Sequence, residues 1–233
     1  MMKPLRILLA CVPWWLAPAH VPGAHAADVP IYGPVGEPYS VRVTSIREAR
    51  FKSTIRQQFD FSCGSAAVAT LLTYQYGHPI NEATVFQNMY LNGDQQKIRA
   101  EGFSLLDMKR FLAALGYEAD GFELPLSKLE ETQVPAIVLI VENGYHHFVV
   151  VKGVKGNRVL VGDPARGTRA MSREQFERIW DSQLLFVIHN RTERARFNVA
   201  ADWRVAPSGP YWMGVNRDNL FFTVMPRHGA GDF

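Results

Sequence analysis

The chain has 233 residues with 25 Lys and Arg against 22 Asp and Glu, a formal net charge of +3, and no polybasic run of the kind that neutralises a nucleic-acid backbone. Its hydrophobic content of 47% can fill a sizeable core, but beyond the N-terminal run no second long apolar stretch exists, so stable membrane insertion is not expected. Two cysteines are too few for a disulfide framework.

The chain opens with Met1-Met-Lys-Pro-Leu-Arg6, an apolar run from Ile7 to Ala17 and then Ala24-His25-Ala26. This is the layout of a secretory signal peptide: Lys3 and Arg6 form the positive end, the run is too short to remain as a membrane span, and Ala-x-Ala is a cleavage site. Residues 1–26 are therefore expected to be removed, leaving a nearly neutral chain in the bacterial periplasm, with secretion as the second choice. Leu8-Leu9-Ala10-Cys11 resembles a lipoprotein box, but the apolar stretch before Cys11 is very short. With Cys11 gone, Cys63 is the sole thiol in an oxidising compartment, where an unpaired thiol is a liability.

Residues 27–52 are rich in Pro and Gly at first and then alternate in Tyr39-Ser-Val-Arg-Val43, which reads as an extended arm with at most one edge strand. From Cys63 to Tyr76 small and apolar residues leave almost no polar face, the mark of a central buried helix ended by Gly77 and Pro79. A second helix is expected from Asn81 to Leu91, stopping at Gly93. Asp94 to Glu101 reads as a loop or solvated turn. Ser104-Leu-Leu-Asp107 is a capping-box start for a third helix, with Met108, Phe111, Leu112 and Leu115 as its core stripe. Leu126 to Glu131 suits a short helical turn.

After Pro135 the pattern changes. Ala136–Val141, His146–Val151 and Arg158–Val161 are short β-branched runs separated by Glu142-Asn-Gly144 and Lys155-Gly-Asn157, as in consecutive antiparallel strands. Ser172 caps a short helix to Trp180, and Leu184 to Ile188 makes a further strand. Helices first and a sheet second define an α+β domain over residues 53–190. In the tail, residues 191–233, aromatics are scattered among Pro, Gly and Asn, and no pattern assigns structure.

A thiol at the start of a helix sits among backbone N–H groups without intrahelical partners, near the positive end of the macrodipole, and both favour its thiolate. A cysteine nucleophile also needs a base, and the base needs a group that fixes its tautomer. His146 and His147 begin one strand and Asp163 ends the next, so imidazole and carboxylate can meet across a hairpin. Strand alternation does not choose between the two histidines. Gln57 and Gln58, just upstream, are both candidate oxyanion donors alongside the Cys63 N–H. Serine-hydrolase, zinc-protease, redox and nucleotide-binding motifs are absent.

Gln57-Gln-Phe-Asp-Phe-Ser-Cys-Gly-Ser-Ala-Ala67, Gly102-Phe-Ser-Leu-Leu-Asp-Met-Lys109, His147-Phe-Val-Val150 and Gly162-Asp-Pro164 resemble the successive motifs of the bacteriocin-processing, or double-glycine leader, cysteine peptidases. The resemblance covers about Ser53 to Ile188. It implies a papain-like fold, with Cys63 as nucleophile, His147 as base, Asp163 as its orienter and Gln57 as oxyanion glutamine, and no metal or cofactor. The best-known members are domains of ABC exporters, whereas the signal segment makes this chain look more like the standalone secreted members, such as the peptidases of functional-amyloid (Fap) secretion operons. The implied partner is a peptide or protein substrate: an exported amyloid, a bacteriocin or a pilus-type protein, cut after a Gly-Gly type site. The competing readings are a non-cutting accessory domain of a secretion system and a Cys-His amidase or acyltransferase on a related fold.

Overall fold

In the computed structural model, residues 27–32, 38–180 and 182–206 are described. The expected signal peptide and the last part of the aromatic tail lie outside them. The described chain forms two units that divide between Ser45 and Ile46.

The first unit is a hairpin of β1 (Ala27–Tyr32) and β2 (Pro38–Val43), paired antiparallel from Ala27↔Val43 to Tyr32↔Pro38. The sequence suggested an extended arm with at most one strand. Pro30 and Pro38 weaken the strand signal, yet a two-stranded ribbon leaves one edge of each strand unpaired, and an edge tolerates a residue that cannot donate.

The second unit begins with the short α1 (Ile46–Arg50) and an irregular run to Ser62. Next comes α2 (Cys63–Thr70), every residue of which is buried, continuing into a π-helical turn over Leu71–Gln75. α3 (Glu82–Asn92) is capped by the Asn81 side chain. α4 (Gln95–Glu101) replaces the expected loop: Asp94 accepts hydrogen bonds from the Gln96 and Lys97 N–H groups, and Ile98 is buried beneath it. α5 (Leu105–Ala114) starts at the expected capping box of Ser104 and Asp107. Then follow β3 (Ala119–Glu123), α6 (Ser127–Thr132), β4 (Ala136–Glu142), β5 (Tyr145–Lys155), β6 (Arg158–Asp163), β7 (Gly167–Ser172), α7 (Arg173–Ile179), β8 (Leu184–Ile188) and the one-turn α8 (Ala200–Trp203).

All six strands from β3 onward make one antiparallel sheet in the order β3-β8-β4-β5-β6-β7. One hydrophobic cluster joins α2, α3 and α5 to Ile137, Phe148, Val150, Phe186 and Ile188 of the sheet. The other joins α6 and α7 to Val138, Val149, Val151, Val159 and Val161. The sheet is covered on both faces, which explains why β4 and β5 read as continuous rather than alternating apolar runs. A cysteine-bearing helix packed on an antiparallel sheet that carries the histidine is the papain-like layout.

The packed unit runs past residue 190, where the sequence pattern fades. Arg196 N–H bonds Gln75 O, Asn198 bonds Lys152 O and Val154 O, and Arg158 bonds Ala206 O. Trp203 is buried, with Lys155 and Arg158 over its ring. The central fastening is ionic: Lys152, with no exposed surface, donates to Asp202 at 2.8 Å and to Ser53 O and Oγ at 2.7 Å each.

Candidate active site

Cys63 is the first residue of α2 and is 7% exposed. The residue before it, Ser62, turns its hydroxyl back onto the N–H and carbonyl of Phe59, so no side chain caps the helix and its first N–H groups are left without a side-chain acceptor. Gly64 packs closely behind the cysteine: a Cβ there would lie 2.7 Å from Met108 Cε and 3.0 Å from Phe103 Cβ, so both side chains would have to give way. The thiol is thus held by a helix pressed tightly into the core.

His147 lies near the start of β5, is buried, and is bonded through Nε2 to Asp163 Oδ1 at 2.9 Å. Its Nδ1 is buried without a partner of its own, and the thiol of Cys63 faces the ring. Burial alone would lower the imidazole pKa, but the hydrogen bond that the ring donates to Asp163, the interaction with Cys63 and the charges of both outweigh it and bring the value from 6.5 up to about 9. Asp163 ends β6 at a turn in which its Oδ1 also accepts from the Ala165 and Arg166 N–H groups, and its Oδ2 accepts from Arg169 Nε at 3.1 Å. Burial pushes this carboxyl up; the hydrogen bond and charge of His147, the Ala165 N–H and the Arg169 guanidinium overcome that and hold it below the ordinary range.

His146 stands on the other side of the strand, exposed, and takes no part in this chain of bonds. Gln57 is fixed by its N–H to Pro164 O at 3.0 Å, which sets it beside the Asp163 turn. Its amide donates to Phe59 O at 3.1 Å and to Asp60 O at 3.4 Å, while Oε1 is buried and unpartnered. Gln58 bonds the Glu82 side chain through its backbone N–H at 3.5 Å. The structure therefore brings Cys63, His147 and Asp163 together and sets Gln57 next to them. Among the described residues no cluster of His, Cys, Asp or Glu suits a metal ion.

The Peptidase C39 family model matches residues 52–192. The chain belongs to the peptidase C39 family.

The chain is 42% identical over 153 residues to the probable functional amyloid protease FapD of Pseudomonas aeruginosa, covering 66% of this chain and 68% of that one. It is 38% identical over 154 residues to FapD of Pseudomonas fluorescens, with the same coverage. The peptidase domain of Streptococcus ComA superposes with a TM-score of 0.49 at 22% identity, over 58% of this chain and 97% of that domain. The protein is a cysteine peptidase.

Two cavities flank the site, one bordered by Cys63 and the other by His147. One, of about 820 Å³, is bordered by Cys63, Phe61, Phe103, Leu106 and Phe148, with His146 at its rim. The other, of about 500 Å³, is bordered by Gln57, Glu142, His147, Asp163 and Arg166. Only Asp60 and Tyr145 border both. The Tyr145 hydroxyl donates to Asp60 O at 2.7 Å and ties the β4–β5 hairpin to the loop before α2. Tyr145 is half exposed, whereas Cys63 and His147 are buried. Sequence reasoning missed Tyr145, Glu142 and Arg169. Tyr145 had a usable signal, two residues before His147 at a hairpin turn; the two others acquire their meaning only from partners across the sheet.

Proposed function

We propose that the chain is a periplasmic cysteine endopeptidase that cuts an exported protein after a Gly-Gly type site. The observation that carries the reading is the bond from His147 Nε2 to Asp163, with the unpartnered Nδ1 edge of the ring on the side of Cys63 at an uncapped helix start. With the imidazole pKa raised to about 9, the ring is protonated at neutral pH and can stand opposite a thiolate.

In the proposed mechanism, the Cys63 thiolate forms a bond to the scissile carbonyl carbon, and the oxygen takes the negative charge. The Cys63 N–H and the Gln57 amide stabilise that charge, the glutamine turning from the Phe59 carbonyl to do so. The C–N bond then breaks as His147 passes its proton to the leaving amine. The neutral imidazole takes a proton from water, whose oxygen attacks the thioester; the acid product leaves and the thiolate–imidazolium pair is restored.

Two observations support the finer reading. Asp60 and Tyr145, the two residues that border both cavities, are tied to each other by a hydrogen bond, a constraint that would favour small residues at the cut. The FapD relatives are named as amyloid proteases, so an exported amyloid precursor is the substrate class favoured, and the N-terminal layout accounts for the compartment. The test compares wild type with Cys63→Ala in the native host and reads the N-termini of exported proteins by mass spectrometry. One exported protein should keep an uncut leader in the variant, and purified wild type should cut a peptide spanning that junction. Identical N-termini in the two strains would remove the reading.

A further inference from the structure

We propose that Arg169 is a positioning residue of this site, holding Asp163 ionised and turned toward His147 and tying it through Glu142 to the hairpin that carries Tyr145. The proposal rests on the roles given above to His147 and Asp163. The Asp163 side chain is 1% exposed, and its two oxygens are treated differently. Oδ1 accepts from His147, Ala165 and Arg166, whereas Oδ2 accepts from Arg169 Nε alone. Without that guanidinium, Oδ2 would be a buried anionic oxygen with no donor, a state relieved only by taking a proton or rotating the carboxyl. Either response loosens the acceptor that fixes the imidazole.

The other arm of Arg169 donates from Nη2 to Glu142 Oε1 at 2.9 Å, and Glu142 Oε2 is paired with Arg166 Nη1 at 2.5 Å. The charges alternate from the buried imidazolium through Asp163, Arg169 and Glu142 to the exposed Arg166. Removing Arg169 would place two carboxylates next to each other with no cation between them, which disfavours ionisation of the more buried one. A planar fork can serve two carboxylates at once, and a lysine ammonium matches only part of that geometry.

The test needs no knowledge of the substrate. The rate of Cys63 alkylation by iodoacetamide is measured at pH 6, where an ordinary thiol is almost wholly protonated, for wild type, Arg169→Met, Arg169→Lys, Asp163→Asn and the Arg169→Met/Asp163→Asn double variant. Thermal unfolding is recorded for each. Arg169→Met should slow alkylation about tenfold or more, and Arg169→Lys should recover part of the loss. In the Asp163→Asn background, Arg169→Met should cost less than about twofold, because nothing remains to be positioned. Equal slowing in both backgrounds, or an unchanged or faster rate in Arg169→Met, overturns the proposal while leaving the roles of His147 and Asp163 intact. An Asp163→Asn variant as reactive as wild type overturns both.

Discussion

Replacing Asp202 with alanine leaves the Lys152 ammonium enclosed with only Ser53 to receive its protons. Removing one partner of a buried ion pair costs about 3–5 kcal/mol. Proton release sets a ceiling: keeping a lysine neutral at pH 7, about 3.4 units below its unfolded value of about 10.4, costs about 4.6 kcal/mol. At roughly 2–4 °C per kcal/mol for a chain of this size, the melting temperature should fall by about 6–18 °C. Burial, opposed by Asp202, already places the Lys152 pKa below the ordinary lysine value. Between that lowered value and about 10.4 the folded state binds fewer protons than the unfolded chain, so stability rises with pH across the window. Loss of Asp202 lowers the folded value further and widens the window, and the deficit of Asp202→Ala should shrink as pH approaches 10. Thermal and urea unfolding of the full chain at pH 7 and pH 10 measure both quantities. The Lys152→Met/Asp202→Leu double variant, which removes both charges, should recover most of the loss. A deficit at pH 7 under about 1 kcal/mol, the range of an exposed pair, or one that persists unchanged at pH 10, would refute the reasoning.

The His147 imidazolium, stabilised from 6.5 to about 9, should give kcat/KM an alkaline limb near pH 9. Its contribution to folding stability is complete below pH 6.5 and is lost as pH rises through 9. Asp163→Asn should move the limb to lower pH, as a pH–rate profile would reveal. Gln57→Ala should lower kcat by about 10²–10³ while KM changes little, if its amide serves the oxyanion as proposed; a variant within threefold of wild type in single-turnover assays argues for another donor. Gly64→Ala should destabilise the fold by about 1–3 kcal/mol in urea unfolding, since Met108 and Phe103 must give way behind the cysteine.

The elements legible in sequence were those whose signals are local. The Ser104–Asp107 box, the all-apolar α2 and the β4–β5–β6 meander each declare themselves within about a dozen residues. β3 did not, because Ala119-Asp-Gly-Phe-Glu123 has a single buried residue and is a strand only by pairing with β8, more than sixty residues on. β7 is likewise an edge, held by β6. Lys152 interrupts an apolar run, and its partner Asp202 lies in a segment with no pattern of its own and outside the family match. In the site, residue types and order were readable from motifs. The choice of His147 over His146 rested on resemblance, and the structure supplies its physical reason in the bond to Asp163. Arg169 was unreadable because its significance is the single unserved oxygen it meets.

The division of the cleft into two cavities bears on the order in which products leave. Cys63 borders the larger cavity, so in the proposed mechanism an acyl group bonded to it would lie on that side. His147 borders the smaller one, so in the same mechanism the leaving amine would receive its proton on that side. On that arrangement the amine fragment would depart first, and the space it vacates would be the approach for the water that attacks the thioester. Product dissociation and hydrolysis would then share one passage, and a bound amine product should hold the acyl-enzyme unhydrolysed until it leaves.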